Sequence, residues 1–172
     1  GAARSQVAAR LAMVHLMNRE PRKAVSLIAR TRQAVLPREL SRRRALVEAR
    51  ALSEIGRTEM ALDLLASLGD GDEVGRVRAD ALWRGERWQE AGEAYETLLV
   101  QAGQGGGRLD PQNQNDVLRA AVAFALAEDR PGLDRLRDKF LDKMAETDNA
   151  HSFEAVSAAR ARQTDEFRAL VR

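Results

Sequence analysis

A small residue in one predicted helix and a small or apolar residue twelve positions later in the next recur along this chain. The pairs are Ala12/Ala24, Ala49/Ala61, Ala79/Ala91, Ala121/Leu133 and Ala155/Phe167, with 37, 30, 42 and 34 residues between successive pairs. A small side chain at such a position lets two helix backbones approach closely, and a hairpin that cannot bury its apolar face alone must stack on the next hairpin. The spacing therefore predicts an all-α fold, an α-solenoid of antiparallel helix pairs.

Composition and turn signals agree with this prediction. Ala, Leu, Arg and Glu supply 90 of the 172 residues, whereas aromatic residues are only 4%, which excludes an all-β fold. Proline suits the first turn of a helix, and glycine marks the breaks between helices. The predicted helices are 3–18 and 21–34, 38–55 and 58–67, 73–83 and 87–101, 111–127 and 131–144, and 152–162 and 164–172.

These helices make up a single predicted domain, 1–172, of about five pairs: 1–35, 36–70, 71–102, 110–146 and 150–172. Asp110 is a candidate N-cap before Pro111, and the glycine-rich segment 102–110 is predicted to be a flexible connector. Because Gly1 stands in place of an initiator methionine, we expect a domain from a larger protein. The alanine and arginine excess suggests a bacterial source.

Several classes of site are absent from the sequence. The chain has no cysteine, no run of 18 apolar residues and no signal peptide pattern, so we expect neither a zinc–thiolate site nor a membrane span. The glycine-rich segment lacks the Lys and Ser/Thr of a phosphate-binding loop. We predict no cofactor and no metal site, no small-molecule substrate is evident, and the cellular compartment is left open.

An enzyme is not predicted. His15 and His151 have no acidic neighbour at a suggestive spacing, and His15 lies on an apolar face, as a satisfied core histidine would. Asp134, Asp138 and Asp142 align on one helix face. Arg135 and Lys139 alongside them suit i,i+3 pairing with Asp138 and Asp142, which indicates a solvated face rather than a metal site.

Positive charge is concentrated near the beginning of the chain. Positions 1–57 carry 13 basic and 4 acidic residues, against 5 and 11 in 58–115 and 10 and 11 in 116–172. The cluster consists of Arg30, Arg32, Arg38, Arg42, Arg43, Arg44 and Arg50. The plainest interpretation is a solvated helix face. The alternatives are a site for an acidic protein segment and, third, a site for a nucleic-acid backbone. Nucleic-acid binding ranks last because the cluster has no interleaved aromatic residues on which bases could stack.

Two segments carry a resemblance to a known family. In "ALSEIGRTEMALDLLASL" (51–68) and "ADALWRGERWQEAGEAYETLL" (79–99), small residues lead into a glycine-containing turn, then an alanine and a bulky residue four positions later. Both resemble tetratricopeptide (TPR) repeats, and "LAMVHLMNREPRKAVSLI" (11–28) is a third match. The last two pairs depart from the pattern, with Leu133 and Phe167 where alanine is usual.

The TPR resemblance implies a right-handed superhelix without catalytic activity that binds a peptide or protein segment on a concave surface lined by the first helix of each pair. The partner-binding candidates that it implies are Met13, Met17, Arg43, Arg50, Arg76, Asp80, Trp83 and Arg84, with Leu16 and Glu54 beside them. TPR receptors for acidic chaperone tails use basic and Asn residues where this chain has Ala9 and Met13, which counts against that role. The alternatives are a helical accessory domain of a larger enzyme and an Arg-mediated nucleic-acid binder.

Overall fold

A computed structural model describes residues 1–158, and every regular element within that range is a helix. The elements are α1 (Ala2–Met17), α2 (Pro21–Arg30), α3 (Arg38–Glu54), α4 (Thr58–Ala66), α5 (Asp72–Arg84), α6 (Trp88–Leu98), α7 (Val100–Gln104), α8 (Pro111–Leu126), α9 (Arg130–Ala145) and α10, which begins at 150. The prediction of an all-α fold is confirmed for this part of the chain. The predicted helix 164–172 lies outside the described residues.

Most helix boundaries agree with the prediction to within two residues, but α2 ends at Arg30 rather than at 34. Side chains donate the hydrogen bonds that the next helical turn would otherwise have supplied. The Thr31 hydroxyl donates to the carbonyl oxygen of Leu27 at 2.7 Å, and the Arg44 guanidinium donates to that of Ile28 at 3.0 Å. Because the last carbonyl groups of the helix already have partners, the chain can leave the helical path.

The predicted helix 87–101 is also interrupted, at Leu99, between α6 and α7. The Leu99 N–H is shared between the carbonyl oxygens of Tyr95 and Glu96, at 3.1 and 3.2 Å. Such shared hydrogen bonds are common where a helix ends.

The chain divides into two compact units, Gly1–Glu86 and Arg87–Arg172. In the first unit, each helix packs on the next one, and α3 also packs on both α1 and α5. One apolar cluster joins α1, α2 and α3 around Ala12 and Ala24, and a second joins α3, α4 and α5 around Ala49 and Ala61. The predicted alanine pairs of these two hairpins are therefore buried together.

Four helices end in turns with the same backbone conformation. Arg19, Gly56, Glu86 and Glu128 have φ of 59°, 80°, 57° and 60°, and each lies seven positions after the alanine of the predicted spacing. After α1 and α3, the next N–H reaches back to the carbonyl oxygens of His15 and Leu52, both at 2.8 Å. This left-handed residue closes the helix end, and only one of the four is the glycine that such a conformation favours.

In the second unit, α6 packs against α8 and α9, and α8 packs on α9. The Phe124 ring lies between two glycines: a Cβ at Gly92 or at Gly132 would come within 2.7 Å of it. The predicted cap Asp110 is confirmed, since its carboxylate accepts the Asn113 N–H at 2.8 Å. Asp129 caps α9 in the same way by accepting the Gly132 N–H at 3.0 Å.

Part of the predicted connector 102–110 is helical, because α7 extends to Gln104, and the segment contacts α9. Lys143 of α9 donates to the carbonyl oxygen of Ala102 at 2.9 Å and also to that of Gly105, and Leu109 is buried. In α10, Ala155 is exposed and the helix buries Phe153. Phe167, the predicted partner of Ala155, lies outside the described residues.

Candidate partner-binding surface

The eight candidate residues all belong to the first unit, on α1, α3 and α5. These three helices are neighbours, since α3 packs on both of the others. On α3, Arg50 and Glu54 lie seven and eleven residues after Arg43, which places all three on one stripe along the helix. We call the surface formed by the eight candidates the inner surface.

The apolar candidates differ in exposure. Met17 is 77% exposed and is available for contact. Met13 is half-buried and packs against the cluster of α1, α2 and α3, so it contributes to the core as well as to the surface. The cations Arg43 and Arg84 are exposed, and Arg50 is half-buried.

The remaining candidates on α5 are Arg76, Asp80 and Trp83. All three are half-buried, and each already takes part in a hydrogen bond, ion pair, ring contact or other electrostatic interaction. A partner would have to compete with those interactions, so they are weaker candidates than Met17, Arg43 and Arg84.

The arginine cluster is not one solvated face. Arg44 is only 5% exposed, and its guanidinium donates to the carbonyl oxygens of Ser5 (2.9 Å) and Ile28 (3.0 Å) and to the Thr31 hydroxyl (3.0 Å). Burial lowers the pKa of the Arg44 guanidinium, and the negative charge of Glu48 partly offsets this. The solvated-face interpretation is wrong for Arg44, because three oxygen atoms replace its water.

Other members of the cluster are also engaged. Arg42 donates to the carbonyl oxygen of Leu68 at 2.9 Å, and Arg32 pairs with Glu48 at 2.9 Å. Arg30, Arg38 and Arg43 are exposed. The cations that sequence reasoning grouped together thus have separate roles, and spacing alone does not distinguish a buried arginine from an exposed one.

His15 has an acidic partner that the sequence analysis missed. Its Nδ1 lies 2.8 Å from the Glu20 carboxylate, because the turn at Arg19 brings the chain back toward α1. Hydrogen bonds from Lys23 and then His15 lower the pKa of the Glu20 carboxyl. The His15 side chain is 23% exposed, so this histidine is satisfied as expected but lies at the surface rather than in the core.

The carboxylates of Asp134, Asp138 and Asp142 on α9 are exposed, as expected for a solvated face, whereas the cations beside them contact another helix. Arg135 and Lys139 both pair with Glu96 of α6, at 3.1 and 3.4 Å. The hydrogen bond from Arg135 to the Glu96 carboxylate raises the pKa of the Arg135 guanidinium. Arg135 and Lys139 therefore join α9 to α6. Among residues 1–158, no three His, Asp or Glu side chains come together as metal ligands would. No helix in that range is long and apolar enough to span a membrane.

One feature of the first unit was missed entirely. Val7, Leu11 and Val14 are 64%, 44% and 47% exposed and lie along one face of α1, which we call the outer face. The signal was present in the sequence as an apolar spacing of four and three residues, but the same spacing is typical of a core-facing stripe.

No protein-family model matches this chain, and neither a curated protein nor a solved structure matches it.

Proposed function

We propose that the chain is a non-catalytic interaction module, a TPR-like solenoid that binds a peptide or protein segment along the inner surface. The observation that carries the proposal is the packing order of the first unit. α1, α3 and α5 pack side by side, while α2 and α4 each pack on the helices that precede and follow them. Stacked hairpins of this kind leave one set of helices free to form a continuous binding surface.

The repeated backbone geometry supports the same proposal. Left-handed residues follow the four alanines at a constant distance, although the sequence intervals between the hairpins differ. A constant turn after helices of different sequence is typical of a structural repeat. A closed bundle of unrelated helices gives no reason for such a recurrence.

The side chains of the inner surface favour an acidic partner with at least one apolar anchor. Arg43 and Arg84 are exposed cations, Arg50 is half exposed, and Met17 is an exposed flexible apolar side chain. Guanidinium groups match carboxylates in geometry, and methionine adapts to differently shaped apolar groups. Glu54 on the same stripe would favour a partner with a mixed charge pattern over a uniformly acidic one.

The test is recovery of partners from the source cell by the tagged chain, with Arg43→Glu and Arg50→Glu as variants. The matched control is Arg38→Glu, which makes the same charge change at an exposed position on a different side of α3. We expect the two inner-surface variants to lose a partner that the wild type and Arg38→Glu retain. Equal recovery by all four proteins would contradict the proposal.

A further inference from the structure

The first two hairpins of the chain are equivalent position by position, with an offset of 37 residues. The offset relates Ala12 to Ala49 and Ala24 to Ala61, and it relates the left-handed Arg19 to Gly56. The surroundings of one hairpin can therefore be compared directly with those of the other.

On α3, the face at Arg44, Glu48 and Ala51 is covered by α2 and the residues after it. Arg44 donates to the carbonyl oxygen of Ile28, Glu48 accepts from Arg32 at 2.9 Å, and Ala51 is fully buried in the cluster that contains Ile28. This face is therefore built to receive a helix from the preceding hairpin.

On α1, the equivalent positions are Val7, Leu11 and Val14, the outer face. All three are apolar, yet between 44% and 64% of each residue is exposed. The face that is covered on α3 is open on α1, and its residues are more apolar than their counterparts. A contiguous exposed apolar face of this kind marks an interaction site.

A groove lies beside the covered face of α3 and another beside the outer face of α1, and the two grooves are equivalent as well. The groove between α3 and α4 has a volume of about 560 Å³ and is bordered by Ile28, Arg32 and Leu36 from the covering segment. The groove between α1 and α2 has a volume of about 340 Å³. Its lining residues Leu11, His15, Lys23, Ser26, Leu27 and Arg30 are the counterparts of Glu48, Leu52, Met60, Asp63, Leu64 and Ser67.

The two grooves differ in charge. The larger one has Glu48 and Asp63 in its lining to balance Arg32 and Arg44. The smaller one is lined by Arg22, Lys23 and Arg30, and Leu11 stands where the larger groove has Glu48. Lys23 and His15 of its lining pair with Glu20, so Arg22 and Arg30 carry the excess positive charge. A partner that covers the outer face therefore contacts apolar side chains with a border of cationic side chains beside them.

We propose that an amphipathic helix of a partner protein, with acidic side chains beside its apolar stripe, docks on the outer face of α1 as α2 does on α3. A second copy of this chain is the weaker choice. α1 contains no acidic residue, so two outer faces in contact would bring like charges together. The acidic helix supplies the negative charge that Glu48 and Asp63 supply in the equivalent groove.

The test is a fluorescence anisotropy titration of the complete chain with a labelled helical peptide of about 18 residues, roughly five turns. The peptide carries a leucine stripe flanked by glutamates, and the control peptide carries the same stripe flanked by lysines. We expect saturable binding of the glutamate peptide and binding of the lysine peptide that is weaker by about tenfold or more.

Variants of the protein locate the site. Leu11→Glu and Arg30→Glu should each weaken binding of the glutamate peptide by about tenfold, because one removes apolar contact and the other reverses a border charge. Val35→Glu is the matched control at a residue that is 87% exposed outside the outer face, and it should leave binding unchanged. Arg50→Glu on the inner surface should also leave it unchanged, which separates this site from the function proposed above.

Three results would overturn the proposal. They are no saturable binding of the glutamate peptide, equal binding of both peptides, and wild-type affinity in Leu11→Glu and Arg30→Glu. Self-association of the wild type that Leu11→Glu abolishes, measured by sedimentation, would assign the outer face to a second copy instead. Circular dichroism of each variant verifies the fold, and Arg30→Glu serves if Leu11→Glu does not fold.

Discussion

Arg44 carries a positive charge into the interior of the first unit, where two carbonyl oxygens and the Thr31 hydroxyl accept its N–H groups. We expect Arg44→Met to lower the free energy of unfolding by about 2–3 kcal/mol, because methionine fills much of the same space but removes the hydrogen bonds that the charged guanidinium donates inside the unit. Urea denaturation followed by circular dichroism measures the change.

The neighbouring Arg43 provides the control for this prediction. Arg43 is exposed, so Arg43→Met should change the free energy of unfolding by no more than about 0.5 kcal/mol. Similar losses in the two variants would show that the arginine cluster stabilises the fold through its total charge rather than through the contacts of Arg44.

Asp129 makes a pH-dependent contribution to the stability of the second unit. The Gly132 N–H, followed by hydrogen bonding from Gln89 and the charge of Arg135, lowers the pKa of the Asp129 carboxyl below its usual value. A carboxyl with a lowered pKa in the folded state stabilises the fold above its unfolded pKa, and this contribution is lost as the pH falls through the folded value. We therefore expect wild type to be more stable than Asp129→Asn at pH 7.

That difference should shrink as the pH falls from about 5 to below about 3.9, the value near which the unfolded carboxyl titrates. Urea unfolding of both proteins across this range measures it, and Asp134→Asn, an exposed carboxyl on the same helix, is the control. A difference between wild type and Asp129→Asn that stays constant with pH would contradict the assigned cause.

At the scale of the helical elements, the repeated turn predicts opposite changes in stability for two substitutions. Arg19 and Gly56 share a left-handed conformation, which costs a side-chain-bearing residue about 1 kcal/mol and glycine little. Arg19→Gly should therefore raise the free energy of unfolding by about 0.5–1 kcal/mol, and Gly56→Ala should lower it by about 1 kcal/mol. Urea denaturation measures both changes.

Packing does not complicate this comparison, because a Cβ at Gly56 would have no atom within 4 Å. Gly106→Ala is the control, since a Cβ there also meets open space and Gly106 is not among the left-handed glycines. Destabilisation by Gly106→Ala of the same size as by Gly56→Ala would show that backbone conformation is not the cause.

The helices and their paired alanines were predictable because both follow from local spacing. Ala12, Ala24, Ala49 and Ala61 are fully buried as predicted. Features that depend on distant partners were not predictable: α2 ends early because Arg44, fourteen residues beyond its last residue, satisfies a carbonyl of that helix. The outer face of α1 was missed for the same reason. An apolar stripe indicates that a helix face is suited to burial, but it does not show whether a neighbouring helix covers it.

The candidate inner surface was predictable only in its location on α1, α3 and α5. Whether each residue there is exposed depends on its contacts, as the contrast between the exposed Arg84 and the half-buried Trp83 shows. Sequence spacing places both on one helix and carries no information about which of them already has a partner.

At the scale of the whole molecule, the main packing contacts of the first unit come from its own residues. Both of its apolar clusters and every acceptor of Arg44 lie within residues 1–86. A fragment of this size can bury enough apolar surface to fold alone. We therefore expect the fragment 1–86 to be helical and to unfold in one cooperative transition in urea, as measured by circular dichroism.

The fragment should also retain the effect of Arg44→Met at the size found in the complete chain, because substitutions act locally when their partners are all present. Arg43→Met in the fragment again serves as the control. A fragment without a cooperative transition, or one in which Arg44→Met has no effect, would mean that the first unit depends on the rest of the chain to form the contacts of Arg44.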